Sequence, residues 1–116
     1  MLKLTNINYQ MVVEMAEGDK EFETELLDAI INSVKDLRKK YNEGISVQNE
    51  DIIVQARHKI KPTLSLFGLD KLSTIIEEGK CILQENDMRG PATDRHIAEF
   101  MEAVDELLDE LNHIEN

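Results

Sequence analysis

Apolar residues recur every three or four positions through most of the chain, and the places where that rhythm stops divide it into five segments. From about Asn6 to Glu17, Ile7, Met11, Val12 and Met15 keep helical spacing behind asparagines suited to capping, which predicts a short helix. Gly18-Asp19 breaks it. From Asp19 onward Phe22, Leu26, Ile30, Val34, Leu37 and Tyr41 form a stripe that Leu27 and Ile31 widen. That stripe predicts an amphipathic helix of about six turns, stopping near Asn42-Glu43-Gly44, where Asn and Gly supply a left-handed end.

A third helix is expected to start in the capping-rich run between Ser46 and Asp51 and to reach Phe67, with Gly68 as its stop. A fourth follows from Asp70 to about Asn86, with Leu72, Ile75, Ile76, Gly79, Ile82 and Leu83 on one side. Asp87-Met88-Arg89-Gly90-Pro91 reads as a loop. Beyond it Ile97, Phe100, Met101, Val104, Leu107, Leu108, Leu111 and Ile114 carry the cleanest stripe of all. Such stripes leave water only by packing on one another, and the tight connection at Gly68 makes its two helices antiparallel neighbours. The expected fold is all-α: an antiparallel four-helix bundle with a short additional N-terminal helix, residues 1–116 forming one domain without repeats or linkers.

Charge narrows the function. A formal net charge of −11 argues against general nucleic-acid binding and against docking on anionic lipid, both of which need Lys and Arg in excess, so the expected partner is a protein. Cys81 is the one cysteine and has no internal disulfide partner. No leader-like or long apolar run is seen, and a cytoplasmic location is expected.

The third helix holds the candidate chemistry. At about 100° per residue, Ile53, Ala56, Ile60, Leu64 and Phe67 share one narrow face. His58 falls nearly opposite, with Val54 and Gln55 a turn earlier, Lys61 and Pro62 a turn later and Ser65 two turns later. A lone helical histidine is most often an incidental surface residue, so its surroundings must carry the case. Between Ile52 and Leu69 there is no Asp or Glu, although 24 of the 116 residues are acidic, while Arg57, Lys59 and Lys61 crowd around His58. Cations beside an imidazole favour its neutral, nucleophilic form and attract a phosphoryl group in transfer. Pro62 removes the N–H that the His58 carbonyl would accept from, at about 3 kcal/mol for a helix interior. Either a local distortion is tolerated there, or Pro62 marks a helix end and Thr63 to Phe67 form a separate turn.

His58-Lys59-Ile60-Lys61-Pro62, followed by Phe67-Gly68 and Leu72, resembles the signature of histidine-containing phosphotransfer domains of two-component phosphorelays. The short first helix, the Glu17-Gly18-Asp19 turn with Phe22 after it, and the helix order extend the resemblance along nearly the whole chain. The resemblance implies that His58 accepts a phosphoryl group from the aspartate of one response-regulator receiver domain and passes it to another, in relays that include hybrid sensor histidine kinases. It implies that Lys61 lies beside the phosphoryl group and that Gly68 ends the active helix and allows close packing. It further implies that the domain lacks kinase activity of its own and binds no cofactor, the receiver bringing the Mg²⁺. Pro62 departs from the family, where glycine is more frequent.

On this reading Val54, Gln55, Arg57, Lys59, Pro62 and Ser65 belong to the docking surface, and a monomer is expected, since a histidine that visits two partners needs an open face. The alternative is a non-catalytic bundle that docks receiver or kinase domains without phosphotransfer. His96 and His113 lack the company of His58 and are expected to be incidental surface residues. Glu110-x-x-His113 has a di-iron ligand spacing but occurs once, off the stripe. Cys81 reads as a passive thiol, Glu77-Glu78 as a solvated face, and Gly79 as a close helix contact.

Overall fold

The computed structural model describes residues 6–115, which are all-helical, with no strand among them. The elements are α1 (Tyr9–Ala16), α2 (Lys20–Ser46), α3 (Glu50–Leu66), α4 (Asp70–Glu85) and α5 (Gly90–Glu115). The start of α2 is set by Asp19, whose side chain accepts a hydrogen bond from the Phe22 N–H at 3.1 Å, and Glu21 and Glu23 place negative charge at the positive end of the helix dipole. Asn49 caps α3 in the same manner, accepting from the Asp51 N–H at 3.0 Å.

Three boundaries differ from the sequence expectation. The first helix begins at Tyr9 rather than near Asn6. Gly44 does not stop α2. It is buried inside the helix, where a Cβ would come within 2.5 Å of Ile53 Cγ1, so this glycine serves a close approach of α2 to α3. The left-handed turn residue is instead Gln48, at φ 54°. Gly90 and Pro91 likewise belong to the first turn of α5 rather than to a loop, where the N–H missing from a proline is not needed.

Gly68 ends α3 as expected, at φ 62°, and does a second job: a Cβ there would sit 2.9 Å from the Cβ of Asn8. The Asn8 N–H donates to the Phe67 carbonyl at 2.9 Å, so the approach to α1 is stapled to the α3–α4 turn. Just upstream, the backbone N–H and side-chain amide of buried Asn6 each donate to one carboxylate oxygen of Glu110 at 3.0 Å. Glu110 of the Glu-x-x-His spacing is therefore engaged with the N-terminal segment.

The helices α2, α3, α4 and α5 each pack against two of the others, in the ring α2–α3–α4–α5–α2, and α1 lies on α2. One apolar core joins them, from Val12 in α1 through Val34 and Leu37 in α2, Ile53 and Ile60 in α3, and Leu72 and Ile76 in α4, to Phe100, Val104 and Leu107 in α5. Phe22 heads the α2 stripe but is 40% exposed, because it stands in the first turn, at the rim of that core. No helix among the described residues is long and apolar enough to cross a membrane.

Candidate functional site

The burial of Ile53, Ala56, Ile60 and Leu64 holds α3 to the core along its inner face. That anchoring turns His58 outward. His58 is exposed, as are Gln55, Lys59, Lys61, Pro62 and Ser65, while Val54 and Arg57 are half-buried. The helix continues past Pro62 to Leu66, so this proline is interior and does not mark an end. The carbonyl of His58 accordingly lacks its helical donor four residues on.

An open groove of about 390 Å³ runs between α3 and α4 beside this histidine. From α3 it is lined by Arg57, His58, Lys61 and Ser65, and from α4 by Asp70, Ser73, Glu77 and Lys80, with Leu64 and Ile76 between the two rows. Val54, Gln55, Lys59 and Pro62 do not line it. Helical geometry accounts for the separation of the cations. Arg57 and Lys59 lie about 100° to either side of His58, so Arg57 turns toward α4 while the Lys59 ammonium meets the Asp36 carboxylate of α2 at 3.1 Å.

The positive island expected from the acid-free run of α3 is therefore only partly positive, since neighbouring helices bring acids to it. Asp36 takes Lys59, and Asp70 and Glu77 enter the groove. The Glu77 carboxylate accepts a hydrogen bond from the Lys80 ammonium at 2.9 Å. That bond first, then the charge of Lys80, with smaller help from Lys61 and Arg57, holds the Glu77 carboxyl below the usual carboxylate range.

Glu77 is exposed, as expected of a solvated face, and also lines the groove with Asp70, Ser73 and Lys80, which belong to no sequence motif. Their signal was present as spacing. Asp70, Ser73, Glu77 and Lys80 recur at intervals of three, four and three, a polar row along one flank of the helix that returns directly beside α3.

A polar pair inside the core overturns one expectation. His96 is not a surface residue: it is 2% exposed, and its Nε2 is 2.6 Å from the hydroxyl of the fully buried Tyr41. The Tyr41 ring stacks on Phe100 with centroids 4.2 Å apart. Gly79 makes room for the pair, for a Cβ there would collide with the His96 imidazole and come within 2.7 Å of the Tyr41 oxygen.

Burial pushes the Tyr41 phenol up to about 12, against the opposing charge of Arg57. Burial also pushes the His96 imidazole down, against Glu99 and Glu78. Both groups are thus neutral near pH 7, which suits a buried hydrogen-bonded pair. The α5 stripe holds the clue to His96: stepped back from Phe100 by four, it falls on this residue.

The remaining polar candidates have ordinary settings. His113 is exposed, with Nδ1 2.7 Å from the Asp109 carbonyl of its own helix, and Cys81 is an exposed free thiol. Among the described residues no cluster of His, Cys, Asp and Glu has the makings of a metal site. Comparison of the chain with protein-family models, with curated proteins and with solved structures finds no match.

Proposed function

We propose that this chain is a histidine-containing phosphotransfer domain whose phosphoryl carrier is His58. In this reading α2 to α5 form an antiparallel four-helix bundle with α1 laid against α2, residues 1–116 act as one cytoplasmic domain, and the protein works as a monomer. The ring of helix contacts and the turns of three or four residues between α2 and α5 support that architecture.

One observation carries the functional reading. On a chain of net charge −11, an exposed histidine stands at the crest of a well-anchored helix, over a groove that gathers Arg57, Lys61 and Lys80 together with Asp70 and Glu77. The partners are response-regulator receiver domains, alone or within hybrid sensor histidine kinases. In the transfer, an imidazole nitrogen of His58 attacks the phosphorus of the receiver's aspartyl phosphate. The P–N bond forms as the P–O bond to the carboxylate breaks, and the imidazole proton passes to solvent. Mg²⁺ in the receiver neutralises charge on the phosphoryl oxygens. Lys61 adds a charge-assisted hydrogen bond from this side, and Arg57 steers the acidic receiver pocket toward it. Val54, Gln55, Lys59, Pro62 and Ser65 extend the docking face around the histidine.

The test is incubation with a ³²P-labelled phosphoreceiver. The protein should take up label that is acid-labile and base-stable, and His58→Ala should take up none. Equal labelling of the two would refute the assignment, whereas tight receiver binding without label from a panel of receivers would favour a docking adaptor.

A further inference from the structure

Building on the reading of His58 as phosphoryl carrier, we propose that Lys80 of α4 is a second phosphoryl-binding cation of this site, held at the groove by Glu77 until the phosphoryl group arrives. Lys80 and Lys61 line the same groove from opposite walls, Lys61 on the helix that carries His58 and Lys80 on its neighbour. A phosphoryl group projecting from His58 into the groove offers three oxygens, and a cation on each wall satisfies more of them than Lys61 alone.

Other lysines nearby are committed elsewhere. Lys59 is paired with Asp36 of α2, and Lys71 of α4 pairs with Glu106 of α5 at 2.6 Å and does not line the groove.

Glu77 explains how Lys80 is kept ready. Their ion pair spans one helical turn at 2.9 Å, with the two side chains 45% and 63% exposed. Exposed pairs of this kind are weak and screened, so a phosphoryl group of about −1.5 to −2 charge with three strong acceptors displaces a single carboxylate. Lys61 and Arg57 also act on Glu77, so its carboxylate occupies the seat of an anion among the cations that a phosphoryl group needs. After transfer to His58 the displaced carboxylate stays close and repels the phosphoryl group, which favours its passage to the next receiver. Glu77 is a positioning residue in this scheme, and Lys80 a binding one.

The experiment uses the full chain and phosphoramidate as a small-molecule donor, which removes receiver docking from the measurement. His58 nitrogen attacks phosphorus, a new P–N bond forms as the P–N bond to ammonia breaks, and the imidazole proton leaves with the ammonia. Both the labelling rate and the half-life of the phosphohistidine are read.

Lys80→Met should lower the rate and shorten the half-life about three- to tenfold, and Lys80→Arg should restore both. Glu77→Gln should lengthen the half-life, because the carboxylate that repels the phosphoryl group after transfer has lost its charge. Lys71→Met removes the same charge from the same helix outside the groove and should leave both readings at the wild-type level. The proposal is overturned if wild type labels on His58 while Lys80→Met matches it, or if Lys71→Met lowers both readings as much as Lys80→Met. Absence of label on wild type, or equal label on His58→Ala, instead refutes the His58 assignment on which the inference stands.

Discussion

Replacing Gly79 with alanine should destabilise this protein, although the same change in an exposed helix would stabilise it by about 1 kcal/mol through helix propensity. The reversal comes from what lies against Gly79. The new Cβ collides with the His96 imidazole and stands 2.7 Å from the Tyr41 hydroxyl oxygen. Neither ring has room to move: Tyr41 is fully buried and stacked on Phe100, and His96 is 2% exposed.

Overpacking of this kind costs about 1–3 kcal/mol. Prising apart the 2.6 Å Tyr41–His96 hydrogen bond leaves buried polar groups unsatisfied, at about 1–3 kcal/mol more. Set against the propensity gain, the net loss is about 3 kcal/mol, or a fall in Tm of roughly 10 °C for a chain of this size. Urea and thermal unfolding followed by far-UV circular dichroism measure it directly.

The cause is checked by repeating Gly79→Ala on a His96→Ala background, where the methyl group has space. Most of the penalty should vanish there, giving a coupling of at least about 1 kcal/mol. Wild-type stability or better in Gly79→Ala, or the same penalty on both backgrounds, would refute the packing argument.

The buried pair sets the response to pH as well. The folded His96 pKa lies below the ordinary 6.5, so the unfolded chain binds the proton more readily. Stability is complete above about pH 6.5 and falls as pH drops from there through the folded-state value. Urea midpoints at about pH 7.5 and about pH 5 should separate in wild type more than in His96→Leu, and parallel profiles would count against the reasoning. At the alkaline end, Tyr41 is held up to about 12 rather than 10, so stability should decline between those values, and a Tyr41→Phe protein should lack that component. Pro62→Ala returns an N–H to the His58 carbonyl and should stabilise the protein by about 1–3 kcal/mol; an unchanged unfolding midpoint would mean that the helix has already absorbed the proline. His58→Gln alters an exposed side chain and should leave stability within about 0.5 kcal/mol of wild type while abolishing labelling.

The amino-acid sequence by itself determined that five helices form and which face of each is apolar, because a 3.6-residue period is written between chain neighbours and needs no knowledge of the rest of the molecule. It placed His58 opposite Ile53, Ala56, Ile60 and Leu64 for that reason. Only the tertiary structure decided which polar side chains meet. An acid-free run in α3 is silent about Asp36, Asp70 and Glu77, which reach it from other helices and turn an island of cations into a groove of mixed charge. Gly44 suits a helix end as well as a close approach, and packing against Ile53 selected the approach. His96 passed for a surface residue because an imidazole is tolerated on either side of a helix, and what makes it core is a tyrosine 55 positions earlier and a glycine on a third helix. Pairings of this sort depend on how far each helix is rotated and slid against the next, a quantity set by the summed packing of all the stripes and encoded in no single one of them.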